Sequence, residues 1–117
     1  MEGATRADQV FMAQVCERSE RWEEMKKWCA VLATNPAGLT TSERNLFSIA
    51  FKNVLAHRRA SRRAMIEMSK NNVHDPQASG MIKKYMERIE LEIEALCWRI
   101  ELIKLFFNDQ SSFIFCV

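Results

Sequence analysis

The segment TSERNLFSIAFKNVLAHRRASRRAMIEMSK (residues 41–70) contains neither glycine nor proline, the residues that most often interrupt a helix. Its middle part, NLFSIAFKNVL, is apolar over most of a helical circumference and therefore needs neighbours on several sides. Thr40 and Glu43 have the spacing of a capping box at its start. At its end, in NNVHDP, Asp75 can cap a following helix whose first position suits Pro76. The segment predicts one long helix over residues 41–70.

Three further helices are predicted around it. Apolar residues recur every three or four positions in residues 5–19 and 21–34, and the segment 76–107 has a heptad stripe typical of helix-on-helix packing. The stripe consists of Ile82, Met86, Ile89, Ile93, Leu96, Ile100, Ile103 and Phe107. The opposite side is assigned to charged residues, namely Glu87, Arg88, Glu90 and Glu94. We expect an all-α, largely antiparallel bundle of two short and two long helices over residues 1–107, followed by a divergent tail, 108–117.

The composition argues against several classes of function. Only three glycines and two prolines occur in 117 residues, too few turn signals for many short strands. The four cysteines form no CxxC pair and have no histidine at zinc-ligand spacing. His57 lies among arginines, and His74 lies in a loop, so neither is a good general base. We expect no enzyme, no metal and no cofactor.

The chain also lacks the sequence signals of membrane proteins. The start, MEGATRADQ, has no apolar core of a secretory signal, and no apolar run approaches the ~18 residues of a membrane span. Free thiols are ordinary in a reducing compartment. We therefore expect a cytoplasmic protein that does not interact with membranes.

Positive charge concentrates in KNVLAHRRASRR (residues 52–63), which has five Lys or Arg residues and no acid. On a helix, Lys52, Arg59 and Arg63 share one face, and Asn45 extends the row by two turns. Such a row can bind a phosphate, since a guanidinium group matches phosphate oxygens bidentately. It can equally be a solvated helix face. The net charge of only +2 and the lack of stacking aromatics beside the arginines disfavour nucleic acid as a partner.

Three segments resemble the 14-3-3 family in order and spacing. ERNLFSIAFKNVLAHRRASRR (residues 43–63) is similar to the third helix of that family, and SERWEEM (19–25) and KKYMERIELEIEALC (83–97) extend the similarity from about residue 8 to about 105. The resemblance implies an all-helical, non-catalytic adaptor that binds phosphoserine or phosphothreonine in phosphorylated client proteins. It aligns Lys52 and Arg59 with phosphate ligands and Arg63 with a further basic groove residue, while Asn45 lies on the same face.

The resemblance also implies a homodimer, or a heterodimer with relatives, in which the first helix packs on the third and fourth helices of the partner. The aligned contact positions are Val15, Cys16, Ser19, Met65 and Tyr85. Two pairs of opposite charge align with salt bridges between protomers, Arg21 with Glu92 and Glu24 with Arg88. The alternative is that these charges pair within one chain or remain solvated.

Ser61 lies in Arg58-Arg59-Ala60-Ser61, a spacing that basophilic kinases favour. The resemblance aligns Ser61 with a serine near the dimer interface whose phosphorylation is associated with loss of the dimer. An unmodified serine is the alternative, because such spacings also occur without use.

The sequence departs from the family in length and in local residues. Family members are about twice as long, and their later helices supply the remaining phosphate ligands. The tail NDQSSFIFCV does not resemble the family, and Arg62 replaces an aromatic residue. Two hypotheses follow: an adaptor with an incomplete groove, or a dimerisation module that pairs with itself or with full-length relatives without binding clients.

Overall fold

The computed structural model describes residues 3–107, with side chains described through Leu102. This part of the chain consists of four α-helices and contains no strand: α1 (Arg6–Arg18), α2 (Trp22–Ala33), α3 (Thr41–Asn71) and α4 (Pro76–Phe107). The predicted all-α class with two short and two long helices is confirmed. The predicted tail, 108–117, lies outside the described residues.

The chain divides into two compact units, and α3 runs from one into the other. The first unit contains the residues up to Val54, and the second spans Leu55–Phe107. Each unit has its own buried side chains and is described separately below.

The core of the first unit is formed where α1 and α2 pack against each other in antiparallel orientation, beside the amino-terminal half of α3. The rings of Phe47 and Phe51 stack, with centroids 4.7 Å apart and planes 4° from parallel. Burial of this much apolar surface is the main force that stabilises the unit. Its buried apolar residues are Ala13, Cys16, Met25, Cys29, Leu32, Leu46, Phe47, Ala50, Phe51 and Val54.

Side-chain hydrogen bonds cap the amino-terminal ends of both long helices at the residues singled out in the sequence. The backbone N–H of Glu43 donates to Thr40 Oγ1 at 3.2 Å, and the Thr40 N–H donates to Glu43 Oε1 at 2.8 Å, which completes the capping box. Asp75 Oδ1 accepts from the Ala78 N–H at 3.1 Å, and Pro76 is the first residue of α4. Side chains thus satisfy N–H groups that the helix itself leaves without acceptors.

An ion pair within the first unit joins the start of α1 to the start of α3. Arg6 Nε donates to Glu43 Oε2 at 2.9 Å, Nη2 donates to Oε1, and Nη2 also reaches the carbonyl of Gly38 at 2.6 Å. Glu43 is only 6% exposed. The Arg6 guanidinium and the Thr40 N–H together hold the pKa of the Glu43 carboxyl down at about 2, against the opposing effect of burial. The sequence analysis did not predict this pair.

The core of the second unit lies between the carboxyl-terminal half of α3 and the antiparallel α4. Ion pairs show the direction, since Arg58 contacts Glu92 at 3.2 Å, whereas Arg62, further along α3, contacts the earlier residue Glu90 at 3.6 Å. The predicted heptad stripe faces inward: Ile89, Leu96 and Ile100 are buried, and Ile82, Met86 and Ile93 are half-buried. Its last two members, Ile103 and Phe107, lie beyond the described side chains.

The outer side of α4 differs from the prediction of a charged face. Leu91, Trp98 and Leu102 are exposed there among the charged residues. The predicted charged residues Glu87, Arg88, Glu90 and Glu94 are exposed, and the apolar residues lie between and beyond them along the helix. No helix in the described range combines the length and apolarity that crossing a membrane requires.

Candidate functional site

The four residues of the predicted basic row belong to α3. In the first unit, Asn45 and Lys52 are exposed, and in the second unit Arg59 is half-buried and Arg63 is exposed. Within the second unit, Arg59 and Arg63 lie about one helical turn apart, because both belong to α3.

The basic residues of the segment 52–63 differ in whether they contact other groups of the chain. Arg58 and Arg62 pair with carboxylates of α4. Arg59 also interacts with neighbouring groups. Lys52 and Arg63, by contrast, form no ion pair with any residue in the described range 3–102. These two exposed cations are the members of the row that are directly available to a ligand.

A cleft of about 430 Å³ opens in the second unit beside the arginines. Three guanidinium groups of α3 line it, together with two carboxylates and one apolar side chain of α4. An anion in this cleft would be attracted by the guanidinium groups, but the carboxylates would repel it and compete for the same donors. The lining residues are Arg59, Arg62, Arg63, Glu90, Ile93 and Glu94.

On α1, the predicted interface residues are divided between the surface and the core. Val15 and Ser19 are exposed and line a shallow cleft of about 480 Å³, together with Phe11, Gln14 and Arg18. Cys16, in contrast, is only 2% exposed, and its side chain belongs to the core of the first unit. Phe11 is a large exposed side chain on this surface that the sequence analysis did not single out.

In the second unit, the predicted interface residues are at least partly accessible. Tyr85 and Arg88 are exposed, while Ser61 and Met65 are half-buried. The Ser61 hydroxyl donates to the carbonyl of His57 at 3.1 Å, one helical turn earlier. A modification of this hydroxyl would have to break that hydrogen bond.

Three of the four charges predicted to pair between protomers have partners within the chain, whereas Arg88 forms no ion pair with a residue in the described range 3–102. Arg21 Nε donates to Glu24 Oε1 at 2.9 Å, and this hydrogen bond lowers the pKa of the Glu24 carboxyl. Glu92 accepts from Arg58. Pairing of Arg21 with Glu92 across a dimer therefore stays a prediction, and it would require both residues to exchange partners.

No cluster of three or more potential metal ligands occurs among the described side chains, which end at Leu102. Cys29 is fully buried, and burial raises the pKa of its thiol to about 12, so the nucleophilic thiolate is strongly disfavoured.

Comparison with known proteins decides the family. Residues 12–112, which include the second half of α1 and all of α2, α3 and α4, match the 14-3-3 protein family. The chain belongs to the 14-3-3 family. Members of the 14-3-3 family are adaptors and not enzymes, in agreement with the expectation of no catalysis.

Individual 14-3-3 relatives support the same assignment. The chain is 40% identical over 98 residues to the 14-3-3-like protein GF14-F of Oryza sativa subsp. japonica, covering 80% of this chain and 38% of that protein. It is 42% identical over 98 residues to 14-3-3-like protein A of Hordeum vulgare (80% and 37%). It is 36% identical over 99 residues to the checkpoint signal transducer rad24 of Schizosaccharomyces pombe (83% and 37%). The chain spans well under half the length of these relatives.

Proposed function

We propose that this 14-3-3 chain is a cytoplasmic adaptor that binds phosphoserine or phosphothreonine in client proteins through the basic row of α3. The observation that carries the proposal is the exposure of Lys52 and Arg63, neither of which forms an ion pair with a described residue. Cations that already have carboxylate partners, such as Arg58, would have to give up those partners to bind phosphate.

Each member of the row has a distinct role in this proposal. Lys52 supplies a point charge, and Arg59 and Arg63 supply planar guanidinium groups that can hold two phosphate oxygens each. Asn45 is exposed on the same helix and can hydrogen-bond the client. Glu90 and Glu94 line the adjacent cleft, so binding is expected to be weak unless the phosphate outcompetes these carboxylates.

Titration with a labelled phosphoserine peptide and its unphosphorylated twin, followed by fluorescence anisotropy, tests the proposal. We expect binding of the phosphorylated peptide only. Lys52→Glu should weaken it by about 10- to 150-fold, the equivalent of one charge-assisted contact. Lys83→Glu is the matched control, because Lys83 is an exposed lysine on α4 outside the row. Equal affinity for the two peptides would exclude this function for the chain.

A second candidate function is a dimerisation module that pairs with itself or with longer 14-3-3 proteins. Exposure of Phe11 and Val15 on one surface of α1 favours it, because adjacent apolar side chains often mark a protein interface. Tyr85 on α4 is a further exposed aromatic residue at an aligned interface position. The intrachain partners of Arg21 and Glu92 weigh against the aligned salt bridge, though not against the apolar contact.

Sedimentation of the chain with charge reversals tests this second function. Arg21→Glu and Glu92→Arg should each weaken dimerisation, and the double variant should restore it if the two residues pair across the interface. Phosphorylated Ser61 should also weaken the dimer, because a dianionic group at an interface is costly to desolvate. A chain that remains monomeric at high concentration and does not respond to these changes would rule the module out.

A further inference from the structure

The outer face of α4 presents an apolar stripe with coiled-coil spacing. Leu91, Ala95, Trp98 and Leu102 follow one another at intervals of four, three and four residues, which places them on one side of the helix. This side is opposite the one formed by Ile89, Leu96 and Ile100, which are buried.

Exposure distinguishes this outer stripe from an ordinary helix surface. Leu91 is 66% exposed, Trp98 is 64% exposed and Leu102 is 57% exposed, and Ala95 between them is also exposed. Single exposed apolar residues are common, but consecutive ones on one face mark an interaction surface. Towards the amino terminus of α4, the outer stripe is bounded by the charged residue Arg88. The stripe therefore lies closer to the carboxyl end of α4 than Tyr85, the exposed aromatic residue of the proposed dimer surface.

The charges beside the outer stripe indicate what kind of helix fits it. Glutamates recur every seven residues along one edge, at Glu87, Glu94 and Glu101. The other edge carries Arg99 and also Glu92, which pairs with Arg58 of α3. In a parallel pair of identical helices, each acidic edge faces the other edge of the second copy, so Glu94 lies across from Arg99, whereas Glu87 lies across from Glu92, whose charge Arg58 partly neutralises. An antiparallel pair would instead bring the two glutamate rows together, where their like charges repel.

We propose that the outer stripe binds a second copy of this chain, with the two α4 helices parallel and Leu91, Ala95, Trp98 and Leu102 forming the seam. The stripe covers only about three helical turns, which is small beside a standard protein interface, so the association is expected to be weak. The four seam residues belong neither to the basic row of α3 nor to the aligned positions of the α1-mediated dimer, although Glu94 on the acidic edge also lines the cleft beside that row.

Sedimentation equilibrium of the full chain over a wide range of concentrations tests the contact. We expect self-association that Trp98→Lys weakens about 10-fold or more, because a central tryptophan usually carries much of the binding energy of an interface. Met68→Lys is the control, since Met68 is also a large exposed apolar residue, on α3. Val15→Glu separates the two kinds of association, because it should weaken the α1-mediated dimer and leave the α4 contact unchanged. Unchanged self-association of the Trp98→Lys variant would overturn the proposal.

Disulfide trapping tests the parallel orientation. In a background with Cys97 and Cys116 replaced by serine, Ala95→Cys should cross-link rapidly to itself, because parallel helices place position 95 opposite its own copy. Ala30→Cys, at an exposed position on α2, reports random collisions. Cross-linking no faster than in this control would exclude the parallel pair. A monomeric chain in which Trp98 is protected from a soluble quencher would also overturn the proposal, since another segment would then cover the stripe.

Discussion

Replacement of Glu43 by glutamine should destabilise the first unit markedly at neutral pH. Glutamine retains the shape of the side chain but removes the charge that Arg6 and the Thr40 N–H stabilise. One pKa unit corresponds to about 1.4 kcal/mol, and the pKa of the Glu43 carboxyl is held at about 2 instead of its ordinary value of 4.5. The ionised carboxylate therefore contributes at most about 3 kcal/mol, and we expect Glu43→Gln to cost about 2–3 kcal/mol.

The sign of the pH dependence follows from the lowered pKa. A carboxylate whose pKa is depressed in the folded state stabilises that state above its ordinary pKa, and this contribution disappears as the pH falls from about 4.5 towards about 2. The wild-type chain should thus lose more stability on acidification than Glu43→Gln, which has no group to protonate at that position. The two stability curves should converge at low pH.

Urea unfolding followed by far-ultraviolet circular dichroism, at pH 7 and at about pH 3, measures both effects. Glu24→Gln is the control, because its ion pair with Arg21 is exposed to solvent and exposed ion pairs contribute little to stability. A Glu43→Gln variant as stable as wild type at pH 7, with the same loss on acidification, would show that this ion pair does not stabilise the fold.

Four other predictions follow from the structure. Iodoacetamide should modify half-buried Cys97 in the folded chain but reach Cys29 only on unfolding, as mass spectrometry of digests would show; early labelling of Cys29 would contradict its burial. Phe51→Ala should lower the free energy of unfolding by about 3–5 kcal/mol in urea titrations, because Phe51 is fully buried and stacked on a second ring. Thr5→Ala should cost about 1 kcal/mol through loss of the α1 cap, and an unchanged melting temperature would argue against that cap. Glu20→Gly should raise the melting temperature, since Glu20 has φ of 57°, a conformation that glycine adopts without strain.

The sequence predicts those parts of the fold that depend on local pattern. The capping residues Thr40 and Asp75 predict where α3 and α4 begin, because capping depends on neighbours within one turn. The Arg6–Glu43 pair escapes prediction, since its partners are 37 residues apart and meet only in the folded unit. Long-range contacts of this kind require the tertiary packing to be known.

The same distinction applies to the candidate site. The spacing of Lys52, Arg59 and Arg63 follows from the helix period and is predictable, but the pairing of Arg62 with Glu90 depends on the register of α3 against α4. The exposed apolar side of α4 was missed for another reason. Charged residues lie between the exposed apolar residues of α4. The inner heptad stripe alone already predicts an amphipathic helix, so the sequence pattern does not call for a second apolar side.

The continuity of α3 also limits which changes in chain length this region can accept. A single-residue insertion or deletion between Lys52 and Arg59 would rotate Arg59 relative to Lys52 by about 100° around the helix axis. The two side chains would then no longer share a face. An insertion in the connection between α2 and α3, such as beside Pro36, would not alter that spacing. Natural variation in length should therefore accumulate between these helices and be absent from residues 52–63, even where individual side chains differ.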